Sequence, residues 1–298
     1  MLSPQIQQRA KQLQESTSRE TFNQIRFIPL KTSICQSPIV TSYIHQGKTK
    51  RNRPLLLLHG FDSSLLEFRR LIPKLSNHCQ VWALDLLGFG FTQRLPNLNY
   101  SPATIKAHVY HFWAEVIKQP MVLIGASMGG ATAIDFCLSH PHIVEKLILI
   151  DSVGLTKPPL VSRIATFLPF GYLATEFLRN SLVRQKISEK AYYNTSLANE
   201  DARCCASLHT LCDNWSQALI SFTRSGGYGD FSAQLGKILC PTLILWGRQD
   251  KILGTNPATR FQQLLPHGKL IWIEECGHVP HLEKPDTVSN HILEFLRD

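Results

Sequence analysis

A chain of 298 residues with 44% hydrophobic content can bury a real core as one large domain or two modest ones, which excludes disordered and fibrous classes. The formal net charge of +9 favours anionic lipid, acidic partners or nucleic acid. The nearest basic tract, Lys48–Arg53, is short and loop-like, so no nucleic-acid partner is expected.

Residues 1–24 read as a polar arm, with Ser3–Thr21 a helix or loose extension in solvent. Two extended stretches follow, Ile25–Leu30 and Ile39–Gln46, each bounded by turn residues and suited to an antiparallel hairpin at a sheet edge. The pattern then changes to short apolar runs: Leu55–Leu58, Val81–Leu84, Met121–Ile124, Leu147–Ile150 and Leu243–Trp246. Runs apolar on both faces are what strands look like in a parallel sheet covered by helices. Segments 65–76, 103–118, 128–140 and 257–265 can carry those helices. Alternation of this kind predicts an α/β fold with a doubly wound, mostly parallel sheet.

The alternation stops between Gly154 and Lys237. Helices are expected there at about 160–181, 184–193, 200–213 and 215–224. The domain reading is therefore a core of residues 1–153 and 239–298 with a helical lid, 154–238, inserted between strands. Such an insertion sits above the carboxyl ends of the strands, where α/β proteins bind ligands. Within it, Leu160–Leu178 carries only Arg163 and Glu176 as charges. Such a stretch is more apolar than one buried stripe requires, so it packs, lines a tunnel (Phe167 and Phe170 being the candidate wall) or docks on a membrane. No run reaches the ~18 apolar residues of a spanning helix. The eight cysteines are scattered without a C-x-x-C pair, and the opening residues lack the apolar segment of a secretory signal. Reduced thiols in a cytosolic-type compartment are expected.

Gly125-Ala126-Ser127-Met128-Gly129 follows a strand and precedes a helix. A G-x-S-x-G sequence in that setting is a nucleophile elbow, a sharp turn that projects the serine hydroxyl. His59-Gly60-Phe61 ends an earlier strand, where a second oxyanion donor belongs; the backbone N–H groups of Phe61 and Met128 form the expected pair. His59 itself reads as a structural brace. An acid and a base should follow the serine in that order: Asp250, at a strand exit, and His278, after Gly277. Asp151 is the rival acid and His281 the rival base. His108 with His111, and His140 with His142, have no carboxylate in metal-ligand spacing, so neither metal nor organic cofactor is implied.

These residues in this order resemble the α/β-hydrolase superfamily, as does Asp85–Thr92. The resemblance implies a serine hydrolase, since Ser127 stands where dehalogenases and epoxide hydrolases carry Asp. His59–Ser64, Ser221–Tyr228 and Cys276–Pro285 are similar, more narrowly, to hydrolases of the chlorophyll dephytylase type in cyanobacteria and plant plastids. That similarity implies a lipophilic ester substrate, the phytyl ester of chlorophyll, and a place at the periphery of a thylakoid membrane. Two other readings stay open: a meta-cleavage-type carbon–carbon hydrolase, which uses the same triad, and a receptor-like binding module with little turnover. Oligomeric state is left undetermined.

Overall fold

A computed structural model describes residues 2–47, 53–155 and 170–297, and the side chain of Phe170 lies outside it. Eight strands form one sheet in the order β1-β2-β4-β3-β5-β6-β7-β8. They are β1 (Arg26–Leu30), β2 (Ile39–Gln46), β3 (Leu55–Leu58), β4 (Val81–Leu84), β5 (Met121–Ala126), β6 (Val144–Ile150), β7 (Thr242–Gly247) and β8 (Gly268–Ile273). The first pair is an antiparallel hairpin, with Arg26 opposite Tyr43, and β2 runs antiparallel to β4. Every other pairing is parallel. This is the expected α/β architecture.

The unbroken apolar runs are explained by two cores, one on each face. Leu56, Leu58, Leu123, Leu147, Ile244 and Trp246 enter one; Leu55, Leu57, Ile124, Ile148, Leu243 and Leu245 enter the other. Side chains alternate across a strand, so a sheet covered on both sides needs an apolar residue at every position. The strand order reverses at β3, whose neighbours are β4 and β5. Ligand sites in open α/β sheets lie at the carboxyl ends of strands beside such a reversal.

Helices on the chain before β6 are α1 (Pro4–Ala10), α2 (Ser16–Asn23), α3 (Ile72–Ser76), α4 (Pro102–Phe112) and α5 (Met128–Ser139). A 3₁₀ turn, Leu65–Phe68, stands where the first half of the 65–76 helix was expected. The arm is not the solvated extension its polarity suggests. Ile6, Ala10 and Leu13 are buried in the second core. Asp201 accepts the backbone N–H groups of Gln14 (2.6 Å) and Glu15 (3.0 Å), and Glu15 pairs with Arg70. One apolar residue per turn was enough to dock a helix that reads as hydrophilic.

Between β6 and β7 the described residues form α6 (Phe170–Arg179), α7 (Ser181–Ala191), α8 (Glu200–Ser207) and α9 (Trp215–Arg224). Asn180 ends α6 and its side chain accepts the N–H groups of Leu182 and Val183, which starts α7 earlier than expected. Phe167 lies outside the described residues. The C-terminal part adds α10 (Asn256–Leu264), α11 (Pro280–Glu283) and α12 (Pro285–Arg297). Among the described residues no helix is long and apolar enough to cross a membrane.

Candidate active site

The end of β5 turns directly into α5, and Ser127 is the residue at the corner, with φ 50° and ψ −117°. A non-glycine residue rarely holds a positive φ; here the junction imposes it. Ser127 N–H donates to Ile150 O (2.9 Å), and Ser127 O accepts from Val153 N–H (3.1 Å). The flanking glycines answer to close approach. A Cβ on Gly125 would stand 2.2 Å from Gly129 O, and one on Gly129 2.0 Å from Leu58 O.

His278 reaches the serine from the loop after β8. Its Nε2 lies 3.1 Å from Ser127 Oγ, and its Nδ1 lies 2.9 Å from Asp250 Oδ2. The carboxylate can only accept, so Nδ1 carries the proton and Nε2 is free to accept the serine hydroxyl. The other oxygen of Asp250 accepts from Ile252 N–H (2.7 Å) and Leu253 N–H (3.0 Å). Burial alone would raise the Asp250 pKa, but the bond to His278 and these backbone donors outweigh it and hold the group below its ordinary value. The loops bearing the two residues are stitched together: Gln249 N–H donates to Cys276 O (2.9 Å) and Cys276 N–H to Gln249 Oε1 (2.9 Å).

Asp151, the rival acid, is fully buried at the end of β6 and accepts Gly247 N–H at 3.1 Å. Burial first and the neighbouring Asp250 second push its pKa well above the ordinary carboxylate range. Asp151 therefore resists carrying the charge that an imidazolium needs beside it, whereas Asp250 carries it readily. Among the described residues, Asp151, Asp250 and His278 are the one group of three with potential ligand atoms close enough for a metal, within 4.8 Å. Asp250 and His278 are bonded to one another, and Asp151 accepts Gly247 N–H.

His281, the rival base, points elsewhere: its Nε2 lies 3.1 Å from Glu67 Oε1. His59 is buried, donates from Nδ1 to Gly60 O (2.8 Å) and accepts Leu86 N–H at Nε2 (3.1 Å), which makes it a brace between two loops. Gly60 lies against Ser127, since a Cβ there would stand 3.3 Å from Ser127 Cβ. Among the described residues neither Phe61 N–H nor Met128 N–H has a protein acceptor, which leaves both as candidate oxyanion donors.

Several supporting residues had no motif to announce them. Glu67 accepts Gly60 N–H (3.0 Å). Burial would raise its pKa, but His281, His59 and Ser63 outweigh burial and depress it to about 2. Asp62 binds Trp215 Nε1 (2.8 Å), His209 Nε2 (3.1 Å) and Arg184, and so fastens the oxyanion loop to the insertion. Glu283 does the same for the histidine loop: it accepts Gly277 N–H (2.8 Å), Tyr193 N–H (3.1 Å) and Asn194 N–H (2.6 Å). His278 N–H donates to Ala191 O (2.7 Å). A carboxylate ringed by backbone donors is invisible in a sequence when two of its three partners lie about ninety positions away.

Ser127 and His278 open on a cavity of about 350 Å³ lined by Phe61, Leu178, Ile187, Ile252, Val279 and Leu282 among others. Phe61 packs on Phe222 and Phe89, with centroids 6.0 and 5.8 Å away.

A family model described as alpha/beta hydrolase fold matches residues 53–285. The chain belongs to the alpha/beta hydrolase fold family. It is 32% identical over 275 residues to the alpha/beta hydrolase domain-containing protein VTE7 of Arabidopsis thaliana, covering 90% of this chain and 82% of that one. It is 28% identical over 267 residues to a 2-hydroxy-6-oxo-6-(2'-aminophenyl)hexa-2,4-dienoic acid hydrolase of Metapseudomonas resinovorans, covering 87% of this chain and 88% of the relative. A solved serine hydrolase of carbazole degradation superimposes with TM-score 0.75 at 25% identity, covering 92% of this hydrolase and 98% of that chain. An esterase from Thermogutta terrifontis shares the fold, with TM-score 0.77 at 20% identity, covering 91% and 98%.

Proposed function

We propose that this hydrolase cleaves carboxylic esters whose alcohol or acyl part is bulky and lipophilic, the phytyl ester of chlorophyll being the leading candidate. The observation that carries the reading is the Ser127–His278–Asp250 chain opening on a mostly apolar cavity. Ser127 Oγ attacks the ester carbonyl while His278 Nε2 takes its proton, and Asp250 steadies the imidazolium that results. The oxyanion draws on Phe61 N–H and Met128 N–H. His278 then returns the proton to the departing alcohol, and water repeats the sequence to release the acid. Helices α6 and α7 act as a lid. Support comes from Leu178, Ile187 and Ala191, which wall the cavity. The volume is at the lower end of the range for ligand pockets and suits one arm of an ester, with a macrocycle held outside.

The phytyl-ester assignment draws its support from the segments similar to chlorophyll dephytylases. The one that discriminates, Ser221–Tyr228, supplies Phe222, which packs on Phe61 at the oxyanion loop. Relatives named as dienoate hydrolases favour a second reading, cleavage of a carbon–carbon bond. An acidic dienoate needs an uncompensated cation in the cavity. Both arginines that reach it are balanced by acids, Arg184 by Asp62 and Arg69 by Asp201 at 3.7 Å. That weighs toward the ester.

A substrate panel tests the choice: p-nitrophenyl acetate, long-chain acyl esters, chlorophyll and a meta-cleavage dienoate, each beside a Ser127→Ala control. Ester turnover that rises with apolar length and disappears in the control supports the reading. Turnover of the dienoate alone sinks it.

A further inference from the structure

A second, larger concavity lies outside the catalytic cavity. It measures about 940 Å³ and runs between the N-terminal arm and the insertion. Its lining holds six basic side chains, Arg9, Lys11, Arg19, Arg179, Arg184 and Arg203, against one acid, Glu200. Glu200 is taken by Arg203 at 3.0 Å, and Arg184 is taken by Asp62. Among the described residues Arg9, Lys11 and Arg19 pair with no carboxylate. Gathering like charges in one groove costs energy unless a multiply charged anion offsets it.

The helix pair that lends Arg179, Ser181 and Arg184 to this groove also carries exposed apolar side chains. Leu173 and Phe177, one helical turn apart on α6, are 65% and 64% exposed, and Leu182 near the start of α7 is 70% exposed. Exposed Lys186 and Lys190 follow Leu182 at i+4 and i+8 and so share its face of α7. Large apolar side chains facing solvent between cations are the pattern of an interfacial helix, with its apolar tips in the acyl boundary and its cations at the phosphates. Leu173 and Phe177 do not line the catalytic cavity, so substrate contact does not account for their exposure.

We infer that the α6–α7 helix pair and the basic groove beside it form a docking face for an anionic lipid bilayer. The groove takes lipid phosphates, and Leu173, Phe177 and Leu182 insert among the acyl chains. Leu178 and Ile187, on the same two helices, wall the catalytic cavity, so a docked molecule holds the mouth of that cavity near the lipid. The proposal stands apart from the choice of substrate.

The test is co-sedimentation of the full chain with vesicles of phosphatidylcholine alone or with roughly 30 mol% phosphatidylglycerol, the latter giving a negative surface potential. Binding should favour the anionic vesicles by at least about tenfold and fall steeply as salt screens the surface. The double variant Arg9→Ala/Lys11→Ala should weaken binding to anionic vesicles by roughly thirtyfold, the effect of two cations at a lipid surface. Leu173→Ser/Phe177→Ser should weaken it by more than about tenfold, since both side chains lose their apolar burial. All four side chains are exposed or lie in the open groove, so thermal unfolding of both variants should match the parent. Equal binding to the two vesicle types, or parent-like binding by either folded variant, overturns the proposal. So does competition by inorganic phosphate at constant ionic strength, which would make the groove a site for a free anion.

Discussion

Ser127, Asp250 and His278 come from three loops that share no local sequence, yet their reactive atoms lie within hydrogen-bond reach. Ser127→Ala and His278→Ala should each lower ester turnover by more than about a hundredfold without unfolding the chain, because nucleophile and base act as a unit. Steady-state kinetics on p-nitrophenyl acetate with a parallel melt decides this. Asp250→Asn should cost about three to four powers of ten, because the amide favours the wrong histidine tautomer. Asp151→Asn is the contrasting case. Asp151 holds its proton well above the ordinary carboxylate range, so an amide stands in for it and turnover should stay within about tenfold of the parent. A reversed order of damage would exchange the two acids. Glu67 gives a prediction in pH. Its pKa falls from an ordinary 4.5 to about 2 on folding, so its stabilisation, about 3 kcal/mol at most, is fully present above 4.5 and is lost as pH falls toward 2. The stability gap between the parent and Glu67→Gln should therefore be wide at pH 6 and close with acid. Denaturant midpoints at several pH values read it directly, and a gap independent of pH would remove Glu67 from this role.

At the scale of elements, the insertion and the catalytic loops behave as one unit. Gly277 stands just before His278. Its φ is not positive, and its small size serves contact instead: a Cβ there would stand 2.3 Å from Ala191 O and 2.8 Å from Tyr193 N. Gly277→Ala should force α7 and the histidine loop apart, costing about 1–3 kcal/mol of stability and at least tenfold in kcat through the misplaced imidazole. A variant with parent kinetics and an unchanged melt would contradict the contact. Strands were legible because a sheet covered on both faces demands unbroken apolar runs. Among the described residues the helices of the insertion fall near their expected places but with displaced limits. Asn180 caps α7 from inside the helix expected at about 160–181, and a cap is decided by one side chain's hydrogen bonds rather than by periodicity.

Across the whole molecule, the N-terminal arm is part of the core. Deleting residues 1–23 would expose the sites that bury Ile6, Ala10 and Leu13 and strip Asp201 of two backbone donors. A loss of about 4–6 kcal/mol is expected, from the apolar burial of these side chains and the cost of a buried carboxylate left short of partners. An unchanged denaturant midpoint in the truncated chain would refute it. The sequence by itself determined the α/β class and the family and put forward a candidate serine, acid and histidine in that order, because strand-period apolar runs and a glycine-flanked serine at a strand–helix junction are local signals. Only the tertiary structure decided which of two acids faces His278, how Glu67, Asp62 and Glu283 brace the loops, and that a hydrophilic arm is buried. Those outcomes depend on distances between segments tens to more than two hundred residues apart, where burial and charge compensation act through space and leave no periodic trace along the chain.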